Sequence, residues 1–444
     1  MILRVLAPRR ALLVLAMAVV GVAAIVVVFG VVDGESTKQE PVATSAPASS
    51  DDVISSLQQR VREDPEDFDA HLDLANAYLQ KVRENADSSL YTKAEGLLER
   101  AEELDPKDPE LLATRGVLSL ARHEFAAALE FGEEAVAANP ESTRNYGIVG
   151  DAQIELGMYE EAVGTYQEMV DRRPDFVAYS RVAHARELYG DPEGAVEAME
   201  DTIAAGGPTG ENAAWAYVEL GNLRFKTGDL DAAAEDYGRA LSAFPNYPRA
   251  LAGKGRVAAA RGELEDAAAL FQEAFNRMPL SEHAIALGDV YTRMGEEQKA
   301  EEQYEIVRAI DQLFQANGVN TDLEIALFFA DHDLDLPTSL QKARAAYEAR
   351  PSIHAADALA WTLYKTGDYK EAEEYSSEAL KLGTRDSLKL FHAGMIAKEL
   401  GQQQRAEEYL QQAVDLNPEF SVLYADQAAA ELEELARASA EEGE

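Results

Sequence analysis

The sequence predicts an all-α protein, a solenoid of about ten helical hairpins with an N-terminal transmembrane helix. The first observation is a pattern of small, aromatic and proline residues from Tyr217 to Pro245 that recurs 34 residues later. The second is an uncharged run of 22 residues, Ala11 to Val32. The seven positions Gly221, Gly228, Leu230, Ala233, Tyr237, Ala240 and Pro245 are matched by Gly255, Gly262, Leu264, Ala267, Phe271, Ala274 and Pro279.

Packing explains why these residue types recur. Small residues such as Ala233 let two antiparallel helices approach closely, and a large residue such as Tyr237 fills the space beside them. Pro245 ends the second helix, because proline has no N–H to donate and its ring clashes with the preceding turn. One hairpin cannot bury its apolar face alone, so neighbouring hairpins must stack.

The same pattern predicts a solenoid over residues 65–418, with a capping helix over 53–64 before it. In the first hairpin, the connection from Asn85 to Ser89 is longer than elsewhere, so we expect longer helices or a surface loop. The glycine cluster 206–210 indicates a hinge or a widened turn. A further amphipathic helix and an acidic tail over 419–444 would cover the open face of the last hairpin.

The N-terminus is typical of a membrane anchor. Arg4, Arg9 and Arg10 lie in a basic segment, 1–10, before the apolar run 11–32, which is long enough to cross a bilayer. Basic residues remain in the cytoplasm, so the solenoid is expected on the extracytoplasmic side of the cytoplasmic (inner) membrane, with a single span. A cleaved signal peptide is the alternative. Residues 33–52, rich in Pro, Ser and Thr, are expected to form a flexible linker.

Composition narrows the possible partners. The 81 acidic and 40 basic residues give a formal net charge of −41, which argues against binding nucleic acid. The acidic excess is expected to keep the outer helix faces soluble; a cationic partner and a salt-rich habitat are the alternatives. The chain has no cysteine, which excludes disulfides, thiolate metal sites and cysteine nucleophiles.

These repeats resemble the tetratricopeptide repeat (TPR) superfamily, and their arrangement is similar to a widespread class of bacterial membrane-anchored TPR proteins without an assigned reaction. The resemblance implies a right-handed superhelix whose concave groove is lined by the first helix of each hairpin. It also implies that the groove binds a protein or a peptide.

Two sets of side chains are expected to face that groove. Aromatic residues are common at binding hot spots, so these positions could hold a peptide; the alternative is that the aromatics fill the hairpin core and that the arginines belong to a solvated face. The candidates are Trp215, Asn222, Phe225, Arg249 and Arg256 in the best repeats, and His354, Trp361, Tyr364, Phe391, Met395 and Lys398 towards the C-terminus.

No pattern in the sequence indicates an enzyme. Asp331 to Asp335, DHDLD, is the one compact His/carboxylate cluster, and it could either bind a metal or cap a helix. Phosphate-binding loops, metalloprotease motifs and nucleophile elbows are absent from the sequence. We therefore expect no catalytic site, no metal, no cofactor and no small-molecule substrate.

The sequence favours a membrane-anchored scaffold or adaptor that binds a protein or peptide partner. The alternative is an accessory subunit of an envelope-biogenesis, secretion or cytochrome-maturation complex, in which the anchor itself contacts the partner.

Overall fold

The computed structural model describes residues 16–17 and 49–442. Within these residues the protein has 22 α-helices and two strands of two residues each. The strands, β1 (Ala16–Met17) and β2 (Thr384–Arg385), pair in parallel. The helices are α1 Ser50–Glu63, α2 Phe68–Asn85, α3 Ser89–Leu104, α4 Pro109–Ala121, α5 Phe125–Ala138, α6 Thr143–Glu155, α7 Tyr159–Arg172, α8 Phe176–Leu188, α9 Pro192–Gly206, α10 Glu211–Lys226, α11 Leu230–Ala243, α12 Pro248–Ala260, α13 Leu264–Arg277, α14 Ser281–Arg293, α15 Glu297–Ala316, α16 Asp322–Asp331, α17 Leu336–Ala349, α18 Ile353–Thr366, α19 Tyr369–Ala379, α20 Ser387–Glu399, α21 Gln403–Leu416 and α22 Ala425–Glu442.

Local signals in the sequence explain where the helices begin and end. The side chains of Asp108, Asp175 and Asp229 accept hydrogen bonds from the first backbone N–H groups of α4, α8 and α11. Gly228 has φ of +79°, so it makes the left-handed turn between α10 and α11 that a side chain would disfavour. In the least regular repeat, Asp333 takes this conformation with φ of +52°.

The chain divides into two compact units. Among the described residues, the first unit comprises 49–153 and 312–320. In it, the segment 312–320 is held against the turn after α4, where the backbone N–H of Asn320 donates to the carbonyl of Arg122 at 2.9 Å. Gly116 and Gly132 lie against the side chain of Ile148, which places small residues opposite a large one.

The second unit comprises residues 16–17, 154–311 and 321–442 among those described. It shows the packing that the repeat pattern predicts. Tyr237 is fully buried, and its ring lies between Gly221 of α10 and Gly253 of α12. Ala233 and Ala240 are also fully buried, at the positions where the sequence requires small residues.

Hydrogen bonds also join distant hairpins of the second unit. The backbone N–H of Ile353 donates to the hydroxyl of Tyr159 at 2.7 Å, across 194 residues of sequence. The side chain of Thr384 donates to the carbonyl of Leu188 at 2.5 Å, across 196 residues. Asn417 repeats this arrangement with the carbonyl of Phe225 at 2.8 Å, across 192 residues. Later hairpins therefore pack on earlier ones at a regular interval.

Most predicted features of the repeats have a counterpart in the structure. Twenty helices, in ten consecutive pairs, lie between α1 and α22 in the part of the chain described. The longer first connection lengthens both helices, since α2 has 18 residues and α3 has 16. The first helix begins at Ser50, three residues earlier than expected, because Ser49 and Asp52 form a capping box.

The predicted anchor, residues 11–32, lies outside the described residues apart from Ala16–Met17, which form β1. Across residues 49–442, no helix is both long and apolar enough to cross a bilayer. The linker 33–52 is described only from residue 49.

Candidate protein-binding groove

The first set of predicted groove residues lies on α10 and α12. Trp215 is 8% exposed, and Phe225 is buried beneath the guanidinium group of Arg256, 5.5 Å from the ring centre. Asn222 accepts hydrogen bonds from Arg256 and from the hydroxyl of Tyr237, the latter at 2.9 Å. The aromatic members of this set are thus core residues, while its polar members form a partly buried network.

The arginines of this set have partners within the chain. Arg249 Nη1 lies 3.5 Å from Glu282 Oε1, and Arg256 bonds to Asn222. Burial opposes the charged form of Arg249, but Glu282, Tyr247, Glu219 and Glu211 together outweigh this effect and raise its pKa. Arg249 and Arg256 therefore stabilise contacts between hairpins in the present conformation.

The second set lies on α18 and α20. Trp361 is 1% exposed, Phe391 is fully buried and Met395 is 3% exposed, all in one apolar cluster. Tyr364 stacks on Trp361 with ring centres 4.7 Å apart. Lys398 lies at the edge of this cluster and keeps 27% of its side-chain exposure. We call this surface, formed by Trp361, Tyr364, Phe391, Met395 and Lys398, the aromatic face.

The C-terminal segment, residues 419–438, covers the aromatic face. Phe420 lies 6.0 Å from Phe391, measured between ring centres, and Tyr424 stacks on Phe391 at 5.0 Å. Tyr424 also meets Trp361 edge-on at 5.6 Å. The side chain of Lys398 pairs with Glu431 of this segment. The segment therefore excludes water from the aromatic residues that the sequence places in the groove.

Asp331, the last residue of α16, links the C-terminal segment to the aromatic face. Its Oδ1 accepts a hydrogen bond from Trp361 Nε1 at 2.9 Å and another from the hydroxyl of Tyr424 at 3.0 Å. Burial raises the pKa of Asp331 above its usual range, against the opposing effect of His392 and His332. One carboxylate thus fixes the orientation of two aromatic rings.

The remaining residues of the DHDLD cluster have separate structural contacts. His332 Nε2 lies 2.7 Å from Asp289 Oδ1, Lys365 donates to Asp333 at 2.9 Å, and Asp335 caps α17. Within the described part of the chain, no group of three or more His, Cys, Asp and Glu side chains is arranged to hold a metal ion.

A buried ionic layer, which the sequence analysis did not predict, lies beneath the aromatic face. Lys389 is 1% exposed, with its Nζ 2.9 Å from Asp386 Oδ2 and 3.8 Å from Asp357 Oδ2. His392 Nδ1 lies 3.1 Å from Asp357 Oδ1, and its ring stacks on Trp361 at 4.1 Å. Burial opposes the ionisation of Asp357, but His392 and Lys389 outweigh it and lower its pKa.

His354, the last predicted groove residue, is close enough to Lys389, Lys226 and Glu187 for their charges to act on it. Burial lowers its pKa well below the usual value, and the charge of Lys389 acts in the same direction. Nearby, Lys226 pairs with Glu187, whose side chains keep 23% and 19% of their exposure. Burial opposes the ionisation of Glu187, yet Lys226 and His184 together hold its pKa below the usual range. Lys226 and Glu187 therefore neutralise each other's charge beside the buried His354.

Four family models, each described as tetratricopeptide repeat, match the chain over residues 79–143 and 218–278, 149–175, 352–385, and 390–420. The chain belongs to the TPR superfamily. No curated protein matches it.

Several solved structures of TPR and related proteins are similar to this TPR chain. A thermophilic TPR protein of Thermus thermophilus is 24% identical, with 35% of this chain and 84% of that chain covered and a TM-score of 0.33. PilF of Pseudomonas aeruginosa is 20% identical, with coverage of 49% and 94% and a TM-score of 0.35. Yeast Tom70 is 15% identical, with coverage of 88% and 93% and a TM-score of 0.33. None of these likenesses bears on what this TPR protein binds.

The residues that the sequence analysis missed lie mainly in the C-terminal segment. Phe420 and Tyr424 follow Pro418 closely and lie in the turn before α22, which begins at Ala425. Two large aromatic residues just after the last hairpin were a usable signal for an apolar contact at this end of the chain. By contrast, nothing in the local pattern indicates that Asp426 pairs with Arg293, more than 100 residues earlier.

Proposed function

We propose that this TPR protein is a membrane-anchored adaptor that binds a protein or peptide partner and catalyses no reaction. The observation that carries the proposal is the aromatic face, whose rings receive Phe420 and Tyr424 and whose lysine receives Glu431 of the following helix. Trp and Tyr are enriched at binding hot spots, and a groove between helices is a common site for an amphipathic helix. The superfamily supports a role in protein interaction.

The anchor forms the second part of the proposal. The apolar run 11–32 is long enough to span a bilayer, and the preceding arginines favour a cytoplasmic N-terminus. The repeats would then lie on the extracytoplasmic side of the inner membrane, beyond the linker 33–52.

Crosslinking and affinity capture from membranes, with the full-length protein as bait, test this proposal. We expect one protein to be enriched reproducibly, with crosslinks on α18, α20 or the C-terminal segment. Enrichment of no protein after crosslinking, or crosslinks confined to the outer second helices, would contradict it.

A matched control exchanges residues 1–32 for an unrelated transmembrane helix, which keeps the protein at the membrane. The adaptor proposal predicts that the partner is still captured. Loss of the partner would favour the alternative, an accessory subunit of an envelope-biogenesis, secretion or cytochrome-maturation complex, because the anchor itself would then carry the contact.

A further inference from the structure

The C-terminal segment reaches further than a simple end cap would require. A helix that only covers the last hairpin needs contacts with α20 and α21. Here, Tyr424 bonds to Asp331 of α16, and Asp426 Oδ2 lies 2.5 Å from Arg293 Nη2 at the end of α14. The segment therefore crosses the first helices of four consecutive hairpins, α14, α16, α18 and α20.

The charges of this contact are complementary. The chain has about twice as many acidic as basic residues, yet the side chains that meet the segment at its rim are the cations Arg293 and Lys398. Lys398 pairs with Glu431 and lies 3.6 Å from Glu434. Lys365 also lies 5.3 Å from the centre of the Trp361 ring, but its charge is already paired with Asp333. Arg293 and Lys398 are therefore the cations that the segment meets. The aromatic face thus suits an acidic helix.

The segment is held mainly at its N-terminal end. Phe420 and Tyr424 are each 7% exposed, and they supply its two large buried rings. From residue 425 to residue 438, only Ala425, Ala428 and Leu435 are buried. An alanine methyl group removes little apolar area from water, so the apolar contribution of α22 comes mainly from Leu435, with Leu432 partly buried beside it. The other contacts of α22 with the face are the ion pairs of Glu431 and Glu434 with Lys398.

We propose that the C-terminal segment is an intramolecular occupant of the aromatic face, and that an acidic amphipathic helix of a partner protein displaces it. This inference rests on the proposed function and specifies the partner's chemistry. Two aromatic residues four positions apart precede the displacing helix, as Phe420 and Tyr424 precede α22, which begins at Ala425. The displacing helix carries carboxylates that follow the second ring at the spacings of Asp426, Glu431 and Glu434.

A binding experiment on the full-length protein tests this proposal. The probe is a fluorescently labelled peptide of residues 419–438, and its fluorescence anisotropy reports binding. In the variant Glu431→Lys/Glu434→Lys, the segment's own contact with Lys398 becomes repulsive, while the face beneath is unchanged. We expect this variant to bind the peptide at least tenfold more tightly than the wild type.

The matched control is Glu433→Lys, on the same helix. Glu433 is exposed and pairs with Arg437 at 3.1 Å, away from the aromatic face. This control should bind the peptide as weakly as the wild type. A peptide that itself carries lysine at positions 431 and 434 should bind none of the proteins tightly.

A second variant, Phe420→Ala/Tyr424→Ala, removes the two rings and should also bind the peptide at least tenfold more tightly, with unchanged far-ultraviolet circular dichroism. Equal peptide affinity of the wild type and both variants would overturn the inference. So would tight binding of the lysine-bearing peptide. If these results were obtained while membrane capture still enriched one partner, the adaptor proposal would stand and only the displaced-segment inference would fall.

Discussion

Substitution of Gly253 by alanine tests the packing on which the repeat architecture depends. A Cβ atom at position 253 would lie 2.4 Å from Cε1 of Tyr237, and one at Gly221 would lie 2.7 Å from the same atom. The ring is therefore confined on two sides, and its hydroxyl is held by Asn222 at 2.9 Å. A shift of the ring away from Gly253 would therefore strain its contact with Gly221 or its hydrogen bond to Asn222.

The expected change in the free energy of unfolding of Gly253→Ala is the sum of two opposing effects. Overpacking of a tight core costs about 1–3 kcal/mol, and this contact is short enough for the upper end of that range. Replacing glycine by alanine inside a helix contributes about 1 kcal/mol in the opposite direction. We expect Gly253→Ala to lower the free energy of unfolding by about 2 kcal/mol in total.

Gly238 provides a matched control, because it lies within α11 and a Cβ atom there would meet nothing within 4 Å. Gly238→Ala should raise the free energy of unfolding by about 1 kcal/mol. Urea denaturation followed by far-ultraviolet circular dichroism gives both midpoints. A Tyr237→Leu background, which frees the space beside Gly253, should reduce the cost of Gly253→Ala. Equal midpoints for Gly253→Ala and Gly238→Ala would refute the reasoning.

Three further predictions concern stability and use the same urea denaturation. Gly157→Ala and Gly262→Ala both place a side chain at positive φ, which should lower the free energy of unfolding by about 1–2 kcal/mol in each variant. Only at Gly157 would the new Cβ atom also lie 2.5 Å from the carbonyl oxygen of Pro351, so Gly157→Ala should cost about 1–3 kcal/mol more than Gly262→Ala. Equal costs for the two variants would argue against packing between these distant hairpins. Ala267→Leu should overpack a fully buried site and cost about 1–3 kcal/mol, and an unchanged midpoint would contradict the assigned helix register. Burial raises the pKa of Asp236 to about 6 in the folded protein, so its stabilising contribution is complete below about pH 4 and is lost as the pH rises through 6. Relative to Asp236→Asn, the wild type should lose up to about 3 kcal/mol of its free energy of unfolding between pH 4 and pH 7. Parallel pH profiles of stability for the two proteins would contradict this.

Local pattern was sufficient to predict the hairpins because each one is specified within about 34 residues of sequence. Tyr237 and the glycines beside it illustrate this, since the residues that pack together lie one helix apart. The least regular hairpin, α16 and α17, was still predictable from its apolar residues. Asp333 replaces the usual turn glycine there, and aspartate tolerates the left-handed conformation better than most residues.

The contacts that span about 194 residues were not predictable from the sequence. Thr384 and Asn417 each donate to a backbone carbonyl, and a carbonyl acceptor leaves no mark on the sequence of the helix that offers it. These distant hairpins meet because small rotations between successive hairpins add up along the repeats. No single residue in the sequence specifies that sum.

The aromatic face was predicted in part. The sequence identified Trp361, Phe391 and Lys398 as candidates, and the structure brings them together. Periodicity alone leaves two interpretations open, since an aromatic residue on a first helix can point into the hairpin core or into the groove. Here the rings face both the hairpin core and the groove, because they contact α21 on one side and Tyr424 on the other. Their role as a binding site stays a prediction.

The most direct test of the central claim locks the C-terminal segment in place. The chain has no cysteine, so Lys398→Cys/Glu434→Cys introduces the only two thiols, at positions whose native side chains lie 3.6 Å apart. A short bis-maleimide bridges them and holds the segment on the aromatic face; the single variant Glu434→Cys cannot be bridged and serves as the control. The unbridged double variant keeps the rings of the aromatic face but lacks the charge of Lys398, so the account predicts that it captures the partner from membranes less efficiently than the Glu434→Cys control and that the bridged protein does not capture it. Equal capture by both forms would contradict it.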